Sequence, residues 1–257
     1  MTPEQKPPTI LFLALYGCEV PWSSGGAIAK ATRAGGEAHA LVFLHGDDDP
    51  PEAEQQDLLA CKIIGVKTVR HLRIPYLGLK ADRPTILEAV RTIRETKPDI
   101  IITQDPEHSV ADHDPDRRAF TNVVMEALSV CYRNFAVKEC GGFEPHAWKS
   151  LYYWWAHDPN VLIDISDVFD IKMKAMETLK WQLVHTGGYF RRRSEAHLRS
   201  FLPNYDKIKD DDIKFGLEMQ RHVDLTLALY GGFYLHAGAL LSEPYRKEGP
   251  VVLDYLV

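Results

Sequence analysis

Tyr16, Cys18 and Glu19 place a phenol, a thiol and a carboxylate within four positions, and Gly25-Gly26 follows shortly after. Those groups can carry proton transfer, nucleophilic attack and charge stabilisation, provided something holds them together. A thiol between a strand end and a helix start can have a lowered pKa and act as a nucleophile; a buried, inert thiol is the plainer reading of Cys18. Tyr16 is either a general acid or a packing residue. A second cluster, Asp114-Pro115-Asp116-Arg117, adds two carboxylates and a guanidinium. An arginine pairs bidentately with carboxylates and never gives up its proton. His113 between Asp112 and Asp114, and His45 before Asp47 to Asp49, add polar groups whose plainer readings are a capping histidine and a solvated loop.

The elements that must position these clusters alternate in type. Thr9–Ala14 is a buried strand, Gly25–Ala34 a helix stopped by Gly35-Gly36, and Glu37–Leu44 a second strand. Pro51–Gly65 is a helix with Leu58, Leu59, Ile63 and Ile64 as its apolar stripe. Thr68–Ile74 is a strand, Pro84–Lys97 an amphipathic helix, Asp99–Thr103 a buried strand and Asp116–Leu128 a helix. Repeated strand-helix-strand units imply parallel strands and right-handed crossovers. The expected fold is therefore a Rossmann-like three-layer α/β domain with a mostly parallel twisted sheet. Ligands of such sheets sit beyond the carboxyl ends of the strands, where Tyr16 to Glu19 fall. After an irregular excursion at 131–149, strands are expected at Leu151–Trp155 and Val161–Ile165. A helix follows over Asp167–Leu183, then a polar basic segment over 186–212, a helix over Asp211–Leu229 and an edge strand over Val251–Leu256. The whole chain, 1–257, is expected to be one domain. Residues 1–130 would be the core, and 131–257 would complete the sheet and cover the pocket.

Bulk properties narrow the function classes. The 257 residues are 45% hydrophobic and 26% charged, with net charge −6, as in an ordinary globular protein and against nucleic acid as a partner. Four cysteines without a C-x-x-C spacing fit free thiols in a reducing compartment. No run approaches the roughly 18 apolar residues of a membrane span, and the N-terminus lacks signal-peptide character. The expectation is a cytoplasmic protein with a small-molecule partner.

An ordered set of short pieces then points to a family. They are Gly25-Gly26-Ala27-Ile28-Ala29, Leu44-His45-Gly46-Asp47, Ile63-Ile64-Gly65-Val66, Ile74-Pro75-Tyr76-Leu77-Gly78, Asp99-Ile100-Ile101-Ile102-Thr103, Asp114-Pro115-Asp116-Arg117, Asp164-Ile165, Trp181-Gln182 and Ser242-Glu243-Pro244-Tyr245. Together they resemble the PIG-L/LmbE family of zinc-dependent de-N-acetylases over nearly the whole chain. Trp22 with Gly25 to Ala29 also resembles the branch containing 4-oxalomesaconate hydratases. The resemblance implies an LmbE-like fold, a small sugar-like substrate and a trimer or hexamer, with an active paralogue as a further partner option. It also implies zinc held by two imidazoles and a carboxylate. In this chain those positions are Tyr16, Arg117 and Glu19, and Cys18 stands where the usual general base falls. Asp114 stands at a further histidine position. An arginine that often touches substrate falls near Ala53, with Gln56 where its glutamate partner would be.

The substitutions leave three functions open. The first is hydrolysis or water addition and elimination by Tyr16, Cys18, Glu19, Asp116 and Arg117, on a sugar-like, N-acyl or keto-acid substrate. Trp22, His45, Asp47, His113 and Asp114 would contact that substrate. Arg117 would take over the charge of a metal absent from the usual positions, so no cofactor is expected. The second is a non-catalytic binding or partner subunit. The third is a metal-dependent de-N-acetylase with rearranged ligands from Glu19, Asp114, Asp116 and His113, joined by Cys18 or His108. Such an oxygen-rich set suits Mg or Mn better than Zn.

Overall fold

The computed structural model describes residues 7–46 and 49–249. Along the chain the elements are β1 (Thr9–Ala14), α1 (Glu19–Arg33), β2 (Glu37–Leu44), α2 (Ala53–Ile63), β3 (Thr68–Ile74), α3 (Arg83–Thr96), β4 (Ile100–Gln104), α4 (Pro106–Ala111) and α5 (Pro115–Val130). They continue with β5 (Ser150–Trp154), β6 (Val161–Asp164), α6 (Phe169–Thr178), α7 (Lys180–Phe201), α8 (Tyr205–Ile208), α9 (Asp212–Leu229), a π-helical turn (Tyr230–Tyr234) and β7 (Ser242–Lys247).

Continuous apolar runs make central parallel strands because both faces are covered. In β1, Ile10, Phe12 and Ala14 enter the core under α1, α2 and α6, while Leu11 and Leu13 enter the core under α3 and α5. The seven strands run in the order β3-β2-β1-β4-β5-β7-β6. β3, β2, β1, β4 and β5 are parallel, and β7 lies antiparallel between β5 and β6. This is a mostly parallel α/β sheet with helices on both faces, as expected. The order reverses between β1 and β4, and the crevice there receives the segments after both strands. The excursion at 131–149 is tied down by the buried Arg94. Its guanidinium donates to the carbonyls of Cys131 (2.9 Å), Arg133 (2.8 Å) and Phe135 (2.9 Å).

Several boundaries differ from expectation for local physical reasons. α1 begins at Glu19, six residues before the glycine pair, and breaks at Ser24 (φ −140°). The amides of Gly26 and Ala27 at the break are capped by Glu243 of β7, at 2.9 and 2.8 Å. A Cβ on Gly26 would overlap Ile165, so the glycine is required for this approach. In α2 the buried positions are Ala53, Asp57, Ala60 and Cys61. Leu58 and Leu59 are 41% and 49% exposed, so small side chains, not the leucines, set the inner face. The helix expected over Asp167–Leu183 ends at Thr178, and Leu179 (ψ 61°) separates α6 from α7. The segment 186–212, expected only as a polar basic segment, is largely the helix α7 followed by the short α8. α7 packs against α9 so closely that a Cβ on Gly216 would strike the carbonyl of Leu183. The Ser242–Lys247 segment is a strand, and the edge strand expected at Val251–Leu256 lies outside the described residues.

Candidate active site at the carboxyl edge of the sheet

Asp114 caps α5 by accepting from the amide of Asp116 (3.0 Å), and Pro115 starts the first turn. That geometry turns Arg117 inward toward Glu19 at the start of α1. Glu19 accepts from the amides of Leu15 (2.8 Å) and Tyr16 (3.2 Å) with one oxygen, and the other oxygen pairs closely with Arg117 Nη1. The same Nη1 donates to Gln104 at the end of β4 (2.8 Å). Arg117 Nε lies 3.3 Å from Asp112 and 4.0 Å from Asp114. The guanidinium sits 5.4 Å from the Tyr16 ring centre and 5.9 Å from that of Trp155. Burial pushes the Glu19 carboxyl up, against the opposing pull of Arg117 and the two amides. Burial also works against the Arg117 charge, but Glu19, Asp112 and Asp114 outweigh it and hold the guanidinium charged.

The pair forms one wall of a cavity of about 270 Å³, with Tyr16, Cys18, Trp22, Tyr76 and Asp114 around it and Trp181, Gln182 and His185 of α7 opposite. The Tyr16 hydroxyl donates to Asp114 at 2.5 Å. Burial first, and then Asp114, pushes its pKa far up, so the phenol stays protonated. The Cys18 thiol is also pushed well up, by burial and then by Asp57 and Glu19, away from the thiolate a nucleophile needs. Gly17 beside it lies against the Asp57 carboxyl with no room for a Cβ. A second lobe of about 510 Å³ adjoins the first and shares Trp22, Asp114, Arg117, Gln182 and His185. It adds Asp112, Trp155, Tyr189 and Phe190 among its walls. The Trp22 and Trp155 rings meet edge to face at 5.3 Å.

Of the candidates drawn from the sequence, the fold brings Tyr16, Cys18, Glu19, Trp22, Asp114 and Arg117 to one cavity. Asp116 is buried outside that lining; its carboxylate accepts from the amide of Leu77 (2.8 Å), which has φ 60°. It thereby holds the turn that sets Tyr76 against Tyr16, with ring centres 6.0 Å apart. His113 is exposed, and His45 lies 4.0 Å from Asp49 with its amide bound to the Ile74 carbonyl. Neither histidine lines the two lobes. Asp47 lies outside the described residues. Among the described residues no group of three or more His, Cys, Asp or Glu is placed to hold a metal ion. The set Glu19, Asp114, Asp116 and His113 therefore does not converge. Gln104, Asp112 and His185 escaped sequence reasoning. His185 stands three residues after Gln182, one helical turn along α7, and that spacing from the Trp181-Gln182 piece was the available signal.

The model of the family PIG-L, GlcNAc-PI de-N-acetylase, matches residues 20–128, the stretch from α1 to α5 that carries Arg117. Over that stretch the chain is similar to the PIG-L family. It is 28% identical over 167 residues to a diacetylchitobiose deacetylase of Thermococcus kodakarensis. That match takes in 60% of this chain and 62% of that relative's length. Among solved structures, the N,N'-diacetylchitobiose deacetylase of Pyrococcus horikoshii superposes with a TM-score of 0.68 at 19% identity, over 93% of this chain and 83% of that one. The 4-carboxy-2-hydroxymuconate hydratase of Pseudomonas putida superposes with a TM-score of 0.66 at 16% identity, over 97% and 99%. At those identities the likeness shows the fold alone. Among the described residues no helix is long and apolar enough to cross a membrane.

Proposed function

We propose that this chain is a PIG-L-like enzyme acting on a small polar, sugar-like substrate by hydrolysis or by addition or elimination of water. In this reading it works without zinc at Tyr16, Glu19 and Arg117. The carrying observation is that Arg117 and Glu19 already satisfy each other at the centre of the cavity wall. The donors present do not fit zinc: a guanidinium has no lone pair to give, both Glu19 oxygens are engaged, and the Tyr16 phenol stays protonated. Arg117 instead supplies a fixed positive charge. Its Nε is buried without a hydrogen-bond partner, so a substrate oxygen at the cavity wall can accept from it as negative charge develops there. His185 opposite is the imidazole available to take a proton from water. Tyr16 and Asp114 form a hydrogen-bonded couple that orients a substrate hydroxyl. Glu19 holds Arg117, Asp116 acts through the Leu77 turn, and Cys18 packs the floor. Relatives on this fold named for deacetylation and for hydration support water chemistry of this kind. A binding subunit is the second reading, favoured by the thiol and phenol both being held neutral.

The test is turnover by chelator-treated, metal-analysed protein on a panel of amino sugars, N-acyl amino sugars and keto acids. Turnover without metal is the expected outcome. Activity lost on chelation and restored by one zinc per chain overturns the metal-free reading. Saturable binding with no turnover, with or without zinc, establishes the binding subunit.

A further inference from the structure

The two lobes differ from a neutral sugar site in the balance of hydrogen-bond acceptors and charge. Glu19 balances Arg117 one for one, which leaves the carboxylates of Asp112 and Asp114 at the junction of the lobes. His108, 3.6 Å from Asp112, does not compensate them, because burial pushes its pKa down and keeps it neutral. Tyr16 spends its only hydroxyl hydrogen on Asp114, so its oxygen presents lone pairs.

A fourth acceptor follows from a hydrogen-bond chain between α7 and α9. Gln182 Nε2 donates to Thr186 Oγ1 (3.3 Å), Thr186 donates to Gln220 Oε1 (3.2 Å), and Gln220 Nε2 donates to Asp224 (3.1 Å). The direction is forced from one end, since an ionised carboxylate only accepts. Burial pushes the Asp224 carboxyl up to about 6, with Lys172 and the Gln220 amide opposing. Each link must then donate toward Asp224, and Gln182 is left with its carbonyl oxygen uncommitted at the cavity wall. Two buried donors on residues that border both lobes have no hydrogen-bond partner: Arg117 Nε, on a side chain more than nine-tenths buried, and Trp22 Nε1.

We propose that the cavity recognises a protonated primary amine beside a hydroxyl, the free-amine form of an amino sugar, in preference to its N-acylated form. The ammonium donates to Asp112 and Asp114, and the neighbouring hydroxyl oxygen accepts from Arg117 Nε. Asp112 and Asp114 lie 3.3 and 4.0 Å from that nitrogen, so groups on adjacent carbons reach both. Trp22 and Trp155 line the same lobe, and aromatic rings near a cation favour it. N-acylation removes the charge and brings a carbonyl oxygen against two carboxylates. The inference rests on the sugar-like reading above and narrows it: an amine that is recognised on entry is not the group released by the reaction. Chemistry then falls on another bond of the ligand.

The experiment is calorimetric titration of the full chain with D-glucosamine, N-acetyl-D-glucosamine and D-glucose at about pH 7 and about pH 9. The expected result is binding of D-glucosamine about tenfold or more tighter than the other two, the scale of one charge-assisted contact. The preference should fade at the higher pH, where such an amine loses its proton. Asp112→Asn keeps the turn contact to the Asp114 amide and should remove most of the preference of D-glucosamine over D-glucose. N-acetyl-D-glucosamine binding as tightly as D-glucosamine overturns the amine preference and leaves the sugar site standing. Binding of none of the three overturns the sugar-like reading as well. If Asp112→Asn does not fold, the comparison of the three ligands on the parent chain still decides.

Discussion

Two buried ion pairs are built on one plan and sit in different surroundings. Glu19 accepts from two backbone amides and pairs with Arg117; Glu243 accepts from two backbone amides and pairs with Lys172 at 2.8 Å. Each is backed by a tyrosine hydroxyl, Tyr16 through Asp114 and Tyr245 directly on Glu243 at 3.0 Å. Side-chain exposure is nearly the same, 8% and 2% for Arg117 and Glu19 against 7% and 4% for Lys172 and Glu243. What separates them is the neighbour on the open side. Lys172 and Glu243 close over the break in α1, where Gly25 leaves room for the Lys172 side chain, and neither borders the two lobes. Arg117 borders both lobes and keeps a buried N–H without a partner. Lys172 has its carboxylate and the helix break to hold; Arg117 has Glu19, Asp112 and Asp114 around it and one N–H without a hydrogen-bond partner. Burial and pairing alone therefore do not mark a functional charge in this fold, whereas an unspent donor on a cavity wall does.

Removing each cation should separate the roles. Lys172→Ala leaves Glu243 sealed with amides but no counter-charge, and breaking such a pair costs about 3–5 kcal/mol. Urea unfolding is expected to show that loss, and ligand binding by the surviving folded fraction should be unchanged. A loss under about 1 kcal/mol would mean water reaches Glu243 and the two pairs are alike. Arg117→Ala should cost less, on the order of 2 kcal/mol, because the cavity admits water to Glu19, yet it should abolish ligand binding.

The Arg117→Ala deficit should also depend on pH. Burial already raises the folded Glu19 carboxyl above its unfolded value, and deleting the guanidinium raises it further. A group raised on folding contributes its stability below the unfolded pKa, about 4.3 for glutamate, and loses it as pH rises through the folded value. The deficit of the variant against the parent is therefore smallest near pH 4 and grows toward neutrality. Paired urea titrations at both ends of that window check the sign. A deficit that grows on acidification would show that Glu19 is not the group Arg117 neutralises.

The contrast also explains what the sequence disclosed. β1 and β2 were legible to the residue because both-face burial writes an apolar run with glycine or proline near its ends, and the partly buried edge strand β3 was legible because Pro75 closes it. The convergence of Glu19 with Arg117 was legible through the family resemblance, since the glycine pair fixes the spacing of the first cluster. α7 was not, because its buried face mixes Gln182, Thr186 and Gly187 with only two leucines, Leu183 and Leu198, and shows no apolar stripe. The same blindness placed Leu58 and Leu59 in the core, where period, not hydrophobicity, selects Ala53, Asp57, Ala60 and Cys61. His185 and the polar chain to Asp224 were hidden with α7. Lys172 and Glu243 lie 71 positions apart, and nothing local in either segment announces a partner.

The smallest effects give the finest distinction, because they remove a single hydroxyl from each pair. Tyr245→Phe deletes a bond inside a sealed site, where the ring is almost wholly buried and Glu243 loses one of its four donors. A typical buried hydrogen bond contributes about 1 kcal/mol net, and that loss should appear in urea unfolding with ligand affinity untouched. Tyr16→Phe deletes the shorter bond to Asp114, but the cavity lets water take its place, so stability should change by less than about 0.5 kcal/mol. Its effect belongs in binding. Asp114 released from the hydroxyl becomes a fuller acceptor, and a ligand ammonium should bind as well or better, while a neutral sugar that uses the Tyr16 oxygen should bind more weakly. Opposite responses of D-glucosamine and D-glucose to Tyr16→Phe, with flat responses of both to Tyr245→Phe, would confine ligand recognition to the Arg117 pair. Equal responses to the two tyrosine variants would mean that the cavity does not distinguish the pairs after all.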